Sequence, residues 1–176
     1  MTNTVNNKKE DTSIIEKTNI LTSNRKKTRK LLFQELYSLS INDFDKELFR
    51  EAFFNDVHTF NIDENYLLEM HKIIQYNEKF FIYIIKKYAP RFNVTKMSLS
   101  NVLPVYIWLA EMFFITEEIP AKVSINEAVE IAKVYWDDSS KKVVNWILNK
   151  VYKDNNEIEK IKDDDYSNIK QSCFKN

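Results

Sequence analysis

Between Asn24 and Lys30 the chain places Arg25, Lys26, Lys27, Arg29 and Lys30 with no acid among them, and the chemistry such a run performs is the binding of phosphate. On a helix, residues four apart are neighbours, so Arg25 and Arg29 share one face and Lys26 and Lys30 another, and together they would form a cationic ridge. Cations at the amino end of a helix oppose its dipole, a cost that an anionic partner relieves. The same run also reads as a solvated helix end, and both readings stay open on the charges alone. Over the whole chain 26 basic residues balance 26 acidic ones, so any affinity for a polyanion must come from a local patch and not from a basic coat. The opposite end is acidic, with Asp163, Asp164 and Asp165 in a row.

Other chemistries are poorly supplied. Glycine is absent, which removes the usual form of phosphate loops, dinucleotide fingerprints and nucleophile elbows, all of which need backbone to approach a ligand closely or to take positive φ. Cys173 is the only cysteine, so neither an internal disulfide nor a thiolate metal cluster is expected. His58 and His71 stand thirteen residues apart without a carboxylate or thiol at ligand spacing, and are read as surface or core-edge residues. No pair of carboxylates is marked out as an acid-base couple. We expect no enzyme, no cofactor and no metal site. The longest apolar run, 102–115, is broken by Pro104 and Glu111 and is short of a bilayer span, and the Asn- and Lys-rich amino terminus lacks the apolar segment of a signal peptide. A soluble cytoplasmic protein without membrane partners is expected.

The elements that must carry the basic run are helices. Apolar residues recur at helical spacing, and sustained alternation is missing. We expect an all-α fold, a compact antiparallel bundle of about six or seven helices. One helix is expected over 24–40, with Leu32, Phe33, Leu36 and Leu39 inward; a short one over 43–54; a long one over 64–88, ended by Pro90; and another over 98–115. Residues 1–22 read as a disordered polar tail, 23–153 as the helical domain, and 154–176 as a charged, flexible tail.

After Pro120 comes a hairpin. Ser124 followed by Glu127 reads as a capping box that starts a helix near Ile125, with Val123 and Ala128 placed to close a hydrophobic staple. Asp137, Asp138, Ser139 and Ser140 offer capping oxygens for a second helix bearing Val143, Val144, Ile147, Leu148 and Val151. The stretch Pro-Ala-Lys-Val-Ser-Ile-Asn-Glu-Ala-Val-Glu-Ile-Ala-Lys, 120–133, is only weakly dictated by helix physics, and it resembles the carboxy-terminal signature of the NusB family of transcription antitermination factors. Arg-Lys-Lys-Thr-Arg-Lys-Leu-Leu-Phe-Gln-Glu-Leu-Tyr, 25–37, resembles that family's arginine-rich first helix.

The resemblance spans roughly 24–153. It implies an RNA-binding antitermination factor that recognises a boxA-like single-stranded element together with the NusE ribosomal protein, within a transcription elongation complex and in support of rRNA transcription. By position it implies RNA contacts from Arg25, Lys26, Lys27, Arg29, Tyr37, Ser139, Ser140 and Lys142, and partner contacts from Tyr37 and Asn101. A homodimer is left open. A helical protein–protein interaction module of the same fold without RNA affinity is the alternative, and steep salt dependence of RNA binding separates the two. A methyltransferase carrying a NusB-like domain is disfavoured, since no chain remains for a cofactor-binding domain and no glycine loop exists to serve it. If the ridge is purely functional, replacing Arg25, Lys26, Lys27 and Arg29 by alanine should leave melting nearly unchanged.

This chain departs from the family's pattern at Asn101, where an acid is common, at Tyr106, where arginine is, and at Ser139, where aspartate is. Trp108, Trp136 and Trp146 all stand where the family carries small residues, mostly glycine. In a chain without glycine this suggests a reassigned stop codon that encodes glycine and has been read as tryptophan, with overpacking expected wherever the ring meets a tight helix contact.

Overall fold

A computed structural model describes residues 25–41, 62–115, 119–135 and 138–174. The expected amino-terminal tail and the helix expected over 43–54, along with His58, Trp136 and Asp137, lie outside these residues. The described residues form seven α-helices and no strand: α1 (25–41), α2 (Glu64–Tyr76), α3 (Glu78–Tyr88), α4 (Leu99–Phe113), α5 (Ala121–Tyr135), α6 (Asp138–Lys153) and α7 (Asn155–Ile161), with a 3-10 turn at Val94–Lys96 before α4. The all-α class holds.

α4 is the axis of the bundle. Twelve of its fifteen residues are buried, as befits a helix that is apolar on every side, and α2, α3, α5 and α6 pack around it. Pro104 withholds the amide that would otherwise bond to the Ser100 carbonyl, yet the helix runs on to Phe113. Leu31, Leu32, Phe33 and Leu36 of α1, Leu67, Met70 and Ile74 of α2, and Ile147, Leu148 and Val151 of α6 complete the core.

The single helix expected over 64–88 is two. Asn77 separates α2 from α3, and both its backbone N–H and its side-chain amide donate to the Ile73 carbonyl, each at 2.9 Å. A side chain competing for a helix carbonyl is what makes Asn a poor interior residue, and here it interrupts a run whose apolar pattern continues through it.

The capping box is also corrected. α5 begins at Ala121, directly after Pro120, whose carbonyl accepts from Val123 N (2.8 Å) and Ser124 N (3.1 Å). Ser124 is therefore inside the first turns and buried, with its hydroxyl turned to Glu111, and Val123 is exposed and closes no staple. Pro120 thus stands at the helix entrance, four residues ahead of the serine expected to cap it.

The segment expected as a flexible tail folds back. Ile158 is fully buried, Tyr166 packs 5.4 Å from Phe80 and 5.0 Å from Tyr83 between ring centroids, and Phe174 lies 6.4 Å from Tyr106. Glu78 accepts from Ser172 Oγ (2.7 Å) and Cys173 N (2.5 Å), and Lys162 Nζ donates to the Phe113 carbonyl at 3.1 Å. Mean charge concealed a sparse set of apolar residues, Ile158, Ile161, Tyr166, Ile169 and Phe174, that reach the core.

Trp108 is fully buried on α4, edge-on to Phe113 at 6.2 Å, and its ring N–H finds no acceptor among the described residues. Trp146 lies on the outside of α6, 42% exposed, so the tight helix contact needed for overpacking is absent at that position.

Candidate RNA interface

The basic run occupies the first turns of α1, but its members divide by face. Arg29 is four residues after Arg25 and three and four before Leu32 and Phe33, which puts it on the inward stripe. Its Nε donates to Glu111 Oε1 of α4 at 2.5 Å, and both side chains are almost completely buried, at 6% and 1% exposure. Tyr66 OH of α2 donates to the same oxygen at 2.5 Å, and Ser124 Oγ of α5 donates to Oε2. One carboxylate thus gathers donors from α1, α2 and α5. Burial alone would lower the Arg29 pKa, but the Glu111 charge and hydrogen bond outweigh it and hold the guanidinium above its ordinary value. Burial, reinforced by the charge of Glu111, pushes the Tyr66 phenol well above its usual range, so it serves as a donor only.

Arg25 is tied down as well. Its Nη2 and Nε meet Asp63 Oδ2 at 2.6 and 3.1 Å, and its guanidinium lies 4.9 Å from the centre of the Tyr66 ring. Asp63 also caps α2 by accepting from Tyr66 N at 3.1 Å, and its own N–H donates to Thr28 Oγ1 at 3.2 Å, so the entrance of α2 is docked onto α1. The expected ridge of Arg25 and Arg29 therefore faces α2 and α4.

Lys26 and Lys27 are the members exposed to solvent. Lys26 Nζ stands 3.5 Å from Glu127 Oε1 of α5, with half of its side chain accessible. This is where the Glu127 carboxylate goes instead of closing a capping box. Lys30 is half-buried.

Tyr37 is half-buried two turns further on and tilts against Phe33 at 6.1 Å, and Phe33 in turn stacks on Tyr135 at 4.6 Å. That stack ties the end of α5 to the middle of α1. Of the corner residues, Ser139 and Lys142 are exposed and Ser140 is buried. Lys26 and Tyr37 are eleven residues apart on α1, or about 16 Å, while Ser139, Ser140 and Lys142 lie on the first turns of α6. Asn101 belongs to neither helix. It lies in the first turn of α4, ten residues and about 15 Å along the axis from Glu111. His71 is buried and paired with Glu35 of α1.

Sequence reasoning missed the Glu111 network. Its signals were present: Arg29 at an apolar-stripe position, and Glu111 as the one acid in an otherwise apolar helix.

An all-α bundle with a lysine-bearing first helix docked on an apolar central helix is the class that fold and site define. The profile of the NusB family matches residues 26–153, and the chain belongs to that family. It is 32% identical over 132 residues to the transcription antitermination protein NusB of Clostridium perfringens (strain SM101 / Type A), covering 74% of this chain and 97% of that protein. The protein of the same name from Clostridium acetobutylicum is 30% identical over 125 residues, 71% and 92% of the two chains. That from Chloroherpeton thalassium is 43% identical over a shorter stretch of 68 residues, 39% and 32% of the two chains. The segment after Lys153 lies beyond the matched residues. No helix among the described residues is long and apolar enough to cross a membrane.

Proposed function

We propose that this protein is an RNA-binding transcription antitermination factor that recognises a boxA-like single-stranded RNA together with the NusE ribosomal protein, as part of an elongation complex transcribing rRNA. The observation that carries the reading is the coincidence of the family match with exposed Lys26 and Lys27 at the start of α1. These two supply phosphate affinity, and Tyr37, Ser139 and Lys142 supply contacts to splayed bases. Arg25 and Arg29 act from behind, by fixing the helix that presents the lysines. Ser140, buried at the corner, acts in the same indirect way, and Asn101 belongs to the partner surface.

The test is a titration of a boxA-like strand and a scrambled strand at several salt concentrations, with and without the NusE protein. Lys26→Ala combined with Lys27→Ala should weaken binding and make the salt slope shallower by about 0.7 for each single-strand phosphate that the lysines had neutralised. Melting should stay within about 0.5 kcal/mol of the parent for each exposed substitution. NusE should raise affinity for the boxA-like strand, and by linkage the RNA should strengthen the protein pair by the same factor. A NusE protein that neither binds nor improves discrimination against the scrambled strand would leave the protein–protein interaction module as the better account.

A further inference from the structure

The outer face of α6 carries a stripe that begins with Ser139 and Lys142 and runs on to the end of the helix. Lys142, Asn145, Trp146, Asn149, Lys150 and Lys153 are all exposed and follow one another at three- and four-residue spacing. From Ser139 to Lys153 this stripe runs about 21 Å. α6 holds four lysines and one acid, Asp138 at its start, and no acid interrupts the stretch from Lys142 to Lys153. Trp146 stands in the middle. Lys150 Nζ lies 4.2 Å from the centre of its ring, and Phe92, from the loop after α3, supports it at 6.1 Å with the rings inclined by 58°. Asn149 Nδ2 donates to the Asn145 carbonyl at 2.8 Å and to its Oδ1 at 2.9 Å, which fixes the two amides beside the indole.

We propose that this stripe is a second binding surface for single-stranded RNA, with Trp146 as the platform on which a base stacks and Lys142 and Lys150 as its flanking phosphate contacts. The proposal rests on the RNA-binding reading and extends it to a surface that begins at the α5–α6 corner. An aromatic face flanked by cations is the arrangement by which proteins hold single strands without regard to sequence, because every base has a π-face. The charge also selects the occupant: lysine is depleted in the cores of protein interfaces, whereas a stripe of lysines without acids complements a phosphate backbone. Phe92 packs against the indole and Lys150 stands over its ring, so a base that stacks there takes the place of the ammonium, which moves aside to the adjoining phosphate.

The experiment uses the full chain and a labelled single-stranded RNA of mixed sequence. Trp146→Ala should reduce affinity roughly five- to 150-fold, the usual range for removal of a stacking aromatic, and Trp146→Phe should restore most of it. Lys150→Ala should lower the salt slope by about 0.7 while Trp146→Ala leaves the slope unchanged. With the unaltered protein, a bromouridine-substituted strand should photo-crosslink within residues 142–150, a readout that holds even where a variant folds poorly. If the parent binds RNA and Trp146→Ala binds equally well, with no crosslink in that stretch, the stripe is overturned and the α1 site stands. If the parent binds no strand of mixed sequence, the stripe is overturned, while the boxA reading stands or falls on its own titration with the NusE protein. If Trp146→Ala weakens only binding of the NusE protein, the stripe is a protein contact and the proposal is wrong.

Discussion

Arg29→Ala separates the cations that build this fold from those that serve a ligand. The substitution would strand Glu111, which is 1% exposed and accepts from Arg29, Tyr66 and Ser124, in the middle of the bundle with two neutral donors and no countercharge. Removing one partner of a buried pair costs about 3 to 5 kcal/mol, because the remaining charge keeps its desolvation penalty and loses its compensation. For a domain of this size each kcal/mol moves the melting temperature by about 2 to 4 °C, so a fall of roughly 6 to 20 °C is expected. Arg29→Lys should fall between, since lysine keeps the charge but loses the planar fork. Combining Arg29→Ala with Glu111→Leu should recover part of the deficit, because the stranded carboxylate is then gone while the Tyr66 and Ser124 hydroxyls lose their acceptor. Thermal and urea denaturation followed by circular dichroism measure all three. The quadruple replacement of Arg25, Lys26, Lys27 and Arg29, expected from sequence alone to leave melting unchanged, should instead be strongly destabilised. A loss below about 1 kcal/mol for Arg29→Ala, the scale of an exposed ion pair, would refute the buried network.

Three further outcomes follow from single sites. Ser124→Gly should cost more than Ser124→Ala by about 1 kcal/mol, since Ser124 sits inside α5 and glycine is the poorer interior residue; a capping serine would give the reverse order in urea melts. Burial raises the Glu78 carboxyl above its ordinary value even though Ser172 and Cys173 donate to it, so its contribution is largest when it is protonated and stability should decline as pH rises through and above the usual glutamate range; Glu78→Gln should flatten that part of the stability profile. Trp108→Ala should cost about 3 to 5 kcal/mol as a fully buried aromatic, whereas a gain in stability would favour a position built for a small residue. Peptide mass spectrometry of protein from its native source reads the same question directly: tryptophan at 108, 136 and 146 ends the codon-reassignment expectation, and glycine at 146 removes the α6 platform.

The all-α class and most element positions were legible because apolar spacing and proline stops act locally. The inward Leu32, Phe33 and Leu36 came from that pattern, and so did the hairpin of α5 and α6, though the capping box misplaced the start of α5. What stayed hidden depended on partners distant in sequence. Ser124 and Glu127 have the spacing of a capping box, but Glu111 and Lys26, 13 and 101 residues away, claim their side chains. Asn77 breaks a helix through a competition for one carbonyl that composition does not register. The segment after Lys153 has the charge of a tail, yet a few apolar side chains and the Glu78 carboxylate suffice to hold it on α3 and α4.

The division of the basic run sets a limit on what α1 can do. Arg29 is neutralised by a buried carboxylate and Arg25 by Asp63, so neither adds much to the field that a phosphate feels outside. Lys26, Lys27 and Lys30 are the other cations of the run, and Lys26 itself stands 3.5 Å from Glu127, so three is the most that α1 can offer. Three single-strand phosphate contacts at about 0.7 each bound the salt slope attributable to α1 at about 2. A measured slope well above that value requires cations elsewhere on the molecule, and the lysine stripe of α6 is able to supply them. A slope near 2 that vanishes when Lys26, Lys27 and Lys30 are replaced would confine the phosphate contacts to α1.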